Sequence, residues 1–271
     1  MLMLLVGLGV PSGILIITFH WNGSNPLFLV INIAVELIAF CISILLARRF
    51  LDHRSFVSLG FKLDRRVIPD LLAGFLITMV IMCTIYLVLE WFGWSHFDGF
   101  AWRFDPLTVV LGQLAFYLLI YMIVGFQEEL LSRGYHLQTL ASGINSFWGV
   151  MISSAVFGIL HLSNPNATWV SAAGIFFAGL FLALAYLRTG QLWLSIGLHF
   201  GWNFFEGVVF GFPVSGLYSY HLLRISVSGP VIWTGGDFGP EAGLVVLPAI
   251  ALGTVLILWY TKSSKPKIKK Q

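Results

Sequence analysis

Apolar runs of membrane length, separated by short polar breaks, fill almost the whole chain. The runs lie at about 2–19, 27–47, 67–93, 107–140, 147–162, 167–187, 191–211 and 243–260. Each approaches the ~20 apolar residues that a helix needs to cross a hydrocarbon core. The breaks carry turn-forming residues, as in Asn22 to Pro26, Ser142 to Asn145 and Ser163 to Asn166. This pattern predicts an all-α, polytopic membrane bundle of about eight transmembrane helices. The connections are too short to hold a second domain, so 1–271 reads as a single transmembrane domain. The stretch 212–242 is rich in glycine and proline and has no apolar run long enough to span. It is expected to be an extracytoplasmic loop, or a cap folded over the last two spans.

Composition sharpens that picture. The chain is 58% hydrophobic and only 10% charged, against about a quarter charged in soluble domains. Its net charge of +3 gives no reason to expect nucleic acid, because the basic residues flank the spans. They cluster in two places: Arg48, Arg49, Arg54, Lys62, Arg65 and Arg66, and the tail at 261–271 with Lys262, Lys265, Lys267, Lys269 and Lys270. Basic residues accumulate on the cytoplasmic side of spans. An eight-span count then places both termini in the cytoplasm of a multi-pass cell-membrane protein. Cys41 and Cys83 both lie in apolar runs, so neither a disulfide framework nor a Cys-x-x-Cys metal site is expected.

Against this apolar background, three polar groups stand out. Glu128, Glu129 and Arg133 follow the run from Leu107 to Phe126 with no turn residue between. In a continuing helix Glu129 and Arg133 share a face, while Glu128 points about 100° away. Phe157 and His161 form an i, i+4 pair in the fifth run, and His199 and Asn203 form another in the seventh. Counting at ~1.5 Å per residue from the inner turns puts Glu128, His161, His199 and Asn203 at about 12–21 Å depth, within reach of one another. Ionisable side chains at such depth face a partner or a wet cavity.

The chemistry of this set points to hydrolysis. A desolvated glutamate can serve as a general base near neutral pH, with a histidine beside it sharing a water. A second histidine and an amide can donate hydrogen bonds to the oxygen that becomes negative when water attacks a carbonyl. Glu129 and Arg133 suit each other as a pair, and Phe157 suits packing. Zinc stays open as an alternative, since Glu128, His161 and His199 would leave one position for water. No His-Glu-x-x-His helix accompanies them, so a cofactor-free site is expected. Buried Glu and His also build proton relays, and a non-catalytic scaffold would keep the same fold. Neither internal repeats nor paired broken helices support a transporter.

These residues resemble the motifs of the CAAX-protease and bacteriocin-processing (CPBP, or ABI) family of intramembrane endopeptidases. Glu-Glu-x-x-x-Arg matches Glu128, Glu129 and Arg133. Phe-x-x-x-His matches Phe157 and His161, and His-x-x-x-Asn matches His199 and Asn203. The flanks at 133–135 and 197–204 look like bacterial members. The resemblance is densest from about 120 to 206, inside a catalytic core of about 107–211. It implies a glutamic-type peptidase cutting a membrane-associated peptide or protein near the cytoplasmic side of the bilayer. In it, Glu128 and His161 activate water, His199 and Asn203 form the oxyanion hole, and Glu129 and Arg133 support the site. The family also holds bacteriocin-immunity proteins, and nothing in the sequence selects a prenylated substrate.

Overall fold

The computed structural model describes residues 26–262. The predicted first run at 2–19, and the basic tail beyond Lys262, lie outside the described residues. Within them, helices follow the apolar runs closely. They are α1 (Pro26–Leu46), α2 (Val67–Trp91), α3 (Leu107–Glu129), α4 (Gln138–Gly143), α5 (Ser146–Leu160), α6 (Trp169–Thr189), α7 (Trp193–Asn203), a one-turn α8 (Val231–Thr234) and α9 (Val246–Tyr260). Five helical stretches among the described residues are long and apolar enough to cross a membrane: Leu29–Leu51, Val67–Trp91, Leu107–Gly143, Ser146–Ser163 and Trp169–Thr189. The seventh and eighth predicted runs are shorter helices. Helix α7 passes into a wider π-helical stretch, Phe204–Val209, and α9 is a 15-residue apolar helix. The chain is therefore a polytopic helical membrane protein.

Two local features set where the site forms. Beyond Glu129 the third helix does not end but loosens into a π-helical segment, Leu130–Leu137, before resuming as α4. Such widened turns gather at functional positions because they reorient side chains without breaking the helix. Helix α5 begins at Asn145, whose side chain accepts from the Trp148 backbone at 3.0 Å. It stops at Leu160, and a short 3₁₀ turn, His161–Ser163, takes over. The sequence pattern carried this helix through 162. His161 instead stands at its C-terminal end, one residue beyond the last full turn.

Helix α7 is packed closely against α2. A Cβ on Gly74 would sit 2.4 Å from the Leu198 backbone nitrogen, and one on Gly197 would sit 2.4 Å from the Leu71 carbonyl. Only glycine permits backbones that near, and small residues are how helices associate tightly in lipid. Side chains from both helices then fill the main apolar core, with Ile81, Met82, Leu194 and Leu198 fully buried. Helix α6 is capped by a reciprocal pair: Ser171 N donates to Thr168 Oγ1 at 3.2 Å, and Thr168 N donates to Ser171 Oγ at 2.8 Å. It ends at Gly190 with φ of +67°, and Arg188 ties that end to Thr261 at 3.0 and 2.9 Å.

A small antiparallel sheet was not foreseen. Strand β1 (Ser95–Phe100) pairs with β2 (Leu223–Val227), with Phe97 opposite Ile225. It draws the 212–242 segment back onto the bundle. Leu222 N donates to the Val208 carbonyl at 2.7 Å, and Gly216 N donates to the Phe238 carbonyl at 2.8 Å. Phe212, Val214, Phe238 and Glu241 are buried. The segment is thus packed structure held against the bundle.

Candidate active site

The three motifs converge. Glu128 lies at the end of α3, His161 just past α5, and His199 and Asn203 one turn apart on α7. All four line one cavity of about 1030 Å³. Glu128 Oε2 lies 3.9 Å from His161 Nε2 and 3.6 Å from His199 Nε2. These spacings are too long for direct hydrogen bonds and suit a bridging water.

The neighbouring residue Glu129 has the opposite surroundings. It is fully buried, and its Oε1 accepts from Arg133 at 2.5 Å and contacts His199 Nδ1 at 2.8 Å. Ser195 Oγ donates to its other oxygen, Oε2. Arg133 is itself 2% exposed, donates a second time to the Gly179 carbonyl at 3.2 Å, and lies 4.4 Å over the Phe157 ring. A guanidinium over an aromatic face is attracted by the ring quadrupole. Phe157 also stands edge-on to both imidazoles, with ring centroids 4.7 Å from His161 and 5.9 Å from His199. So Phe157 does more than pack: its face meets the guanidinium and its ring stands edge-on to both imidazoles.

Hydrogen bonding fixes how each imidazole faces the cavity. His161 Nδ1 is 2.8 Å from the Phe157 carbonyl, which can only accept, so Nδ1 carries the hydrogen. His199 Nδ1 donates in the same way to Glu129. Both rings therefore turn Nε2 toward Glu128. A neutral ring then offers a lone pair there, and a doubly protonated ring offers an N–H. The carboxylates of Glu128 and Glu129 flank His199 on its two nitrogens and can balance such a charge.

The structure brings together Glu128, His161, His199 and Asn203, and backs them with Glu129, Arg133 and Phe157. It adds two residues that the motifs did not contain. Ser195 lies one helical turn before His199 and completes a stripe of Ser195, His199 and Asn203 at four-residue spacing. That spacing was the available signal. Glu241, from the 212–242 segment, also lines the cavity, and no local signal marked it. Among the described residues, no group of three His, Cys, Asp or Glu side chains takes up a metal-ligating arrangement.

Comparison with known proteins bears on these same residues. Residues 110–205 match the family model described as "Rce1-like: Type II CAAX prenyl endopeptidase Rce1-like". The matched stretch includes every motif residue from Glu128 to Asn203. No curated protein matches the chain, and neither does any solved structure.

Proposed function

We propose, from the match of residues 110–205 to the Rce1-like family model, that this membrane protein belongs to the CAAX-protease and bacteriocin-processing family and hydrolyses a peptide bond of a membrane-associated substrate by glutamate-activated water. The family is one of intramembrane proteases. The glutamic mechanism, the residue roles and the placement in the cell membrane are our reading. One observation carries it. Among the described residues Glu128 Oε2 has no hydrogen-bond partner, yet it faces two imidazole nitrogens across a cavity. A buried carboxylate oxygen without a donor is costly unless a water or substrate group completes it.

In this mechanism water sits between Glu128 Oε2 and His161 Nε2. His161 accepts one water hydrogen bond through its Nε2 lone pair and orients the molecule. Glu128 removes a proton as the water oxygen attacks the peptide carbonyl carbon. Charge then develops on the carbonyl oxygen. An N–H at His199 Nε2 and the Asn203 side-chain amide donate to that oxyanion. Collapse of the tetrahedral intermediate breaks the C–N bond. The proton held by Glu128 passes to the departing amine, leaving a carboxylic acid and an amine and restoring the site. No step requires a metal or cofactor. The partners implied are the lipid bilayer and a peptide or protein substrate held within it.

The test uses purified protein in lipid nanodiscs with fluorogenic apolar peptides. Wild type should release a fragment, and Glu128→Gln should lower kcat by about 10³-fold or more, in the range for losing a general base and its water. Turnover by Glu128→Gln equal to wild type would remove the mechanism. Full activity after exhaustive chelation is expected, and loss that zinc restores would replace the glutamate water with a metal-bound one.

A further inference from the structure

Glu241 is the residue whose placement the mechanism leaves unused. It comes from the segment between α7 and α9 and is 5% exposed, yet it reaches the cavity that holds His161, His199 and Asn203. Its position is built. The backbone carbonyl of Glu241 lies against α6 at Gly174, where any Cβ would collide with it. Its Oε2 accepts from Ser215 N at 2.9 Å and from Ser215 Oγ at 2.6 Å. Ser215 is held in the left-handed region at φ +47°, and its carbonyl accepts from Asn164 Nδ2 at 3.0 Å. Asn164 directly follows the His161–Ser163 turn. A chain of hydrogen bonds thus fixes Glu241 relative to the catalytic histidine turn.

What this carboxylate lacks, among the described residues, is a lysine or arginine partner; the titratable cations facing it are His161 and His199. Ser215, the carboxylate's hydrogen-bond partner at Oε2, is neutral, and the Glu241 side chain belongs to the cavity lining. Among the described residues that line the cavity there is no lysine or arginine, while Glu36, Glu128 and Glu241 all line it. Glu36 is itself held by amides, from Asn32 at 2.8 Å and Gln127 at 3.4 Å. Burial pushes the Glu241 carboxyl above the usual range, and the Ser215 donors together with His161 and His199 offset part of that. An arriving positive charge would supply the rest.

We propose that Glu241 is a substrate-recognition residue that receives a basic side chain, lysine or arginine, placed close to the scissile bond. This rests on the peptidase reading of the same cavity. A substrate crossing lipid carries few charges, so a single basic residue at cleavage depth would be a strong address. The cavity would desolvate it against a fixed carboxylate oxygen, a charge-assisted hydrogen bond of the stronger kind. A purely structural Glu241 would only hold the Ser215 turn. Glu241→Gln separates the two roles, because its amide oxygen still accepts from Ser215 but the charge is gone.

The experiment measures peptide binding to the non-cleaving Glu128→Gln protein in nanodiscs. The probes are apolar transmembrane peptides, each with one lysine at a different position, paired with glutamine counterparts. At one position lysine should bind about tenfold tighter than glutamine. Adding Glu241→Gln should abolish that preference while the thermal transition stays in place. Carbodiimide coupling of the preferred lysine peptide to the chain with Glu241 intact should map to Glu241, a readout that needs no folded variant. Equal binding of lysine and glutamine peptides at every position overturns the proposal. So does a preference that survives Glu241→Gln, or coupling that maps to Glu36. Cleavage of the same peptides by wild type reports separately on the hydrolase. Lysine preference without cleavage would sink the peptidase reading alone, and cleavage without preference would sink only the role of Glu241.

Discussion

Glu128 and Glu129 are adjacent in sequence and share one helical turn, but Glu128 lines the cavity and Glu129 is buried behind it. Glu129 is sealed in, with Arg133, Ser195 and His199 taking its oxygens. Glu128 keeps about 29% side-chain exposure into the cavity, and among the described residues its Oε2 has no donor. Equal chemistry thus has two outcomes set by orientation alone. The satisfied carboxylate organises its neighbours, and the unsatisfied one is left free to react. A helix makes this division cheaply, since neighbouring residues differ by about 100° in direction.

The sharpest way to break the comparison is to exchange the two consequences. Glu128→Gln should remove activity by ~10³-fold or more yet change stability by less than ~0.5 kcal/mol, because no folded-state bond is lost. Arg133→Ala should do the reverse in kind. It strips the cation from fully buried Glu129 and should cost about 3–5 kcal/mol, read as a lowered thermal transition. Adding Glu129→Gln should recover part of that loss, since removing both partners of a buried pair is cheaper than removing one. If Glu128→Gln destabilised as much as Arg133→Ala, the two carboxylates would not differ as described.

On the open wall, Asn203 should show the next effect. Asn203→Ala is expected to lower kcat by about 10²–10³-fold with KM little changed, the pattern for a donor used mainly in the transition state. A rise in KM alone would make Asn203 a substrate contact instead.

How much of this was readable in the chain follows from the distances over which each feature is determined. Four-residue spacing gave the Glu129–Arg133, Phe157–His161 and His199–Asn203 faces, because one helical turn decides them. The tie from Glu129 to His199 joins residues 70 apart, and the sequence suggested only the arginine as the partner of Glu129. The end of α5 at Leu160 was missed because apolar residues continue past it, and the turn at His161 depends on tertiary contacts. The sheet pairs segments that flank helices α3 to α7 in the chain, with strands too short and irregular to advertise themselves. Glu241 sits in a glycine- and proline-rich stretch, where composition speaks for a loop and cannot reveal burial.

Ser195 offers the finest test of the sealed wall. Its hydroxyl donates to Glu129 Oε2 and also lies 3.1 Å from the Leu182 carbonyl. Ser195→Ala removes one of three groups on Glu129 without touching the cavity, so Arg133 and His199 stay in place. The expected loss is about 1–2 kcal/mol of stability, that of one hydrogen bond to a buried charged group. Activity should fall by only ~10-fold or less, through His199, whose Nδ1 partner is then less firmly held. Ser195→Thr keeps the donor but adds a methyl beside a fully buried position, so it tests packing rather than bonding. If Ser195→Ala left the pH–activity profile of kcat and the thermal transition both unchanged, Glu129 would need only Arg133 and His199. The serine at the start of the stripe would then be space-filling, and the sealed wall would reduce to Glu129 with Arg133 and His199.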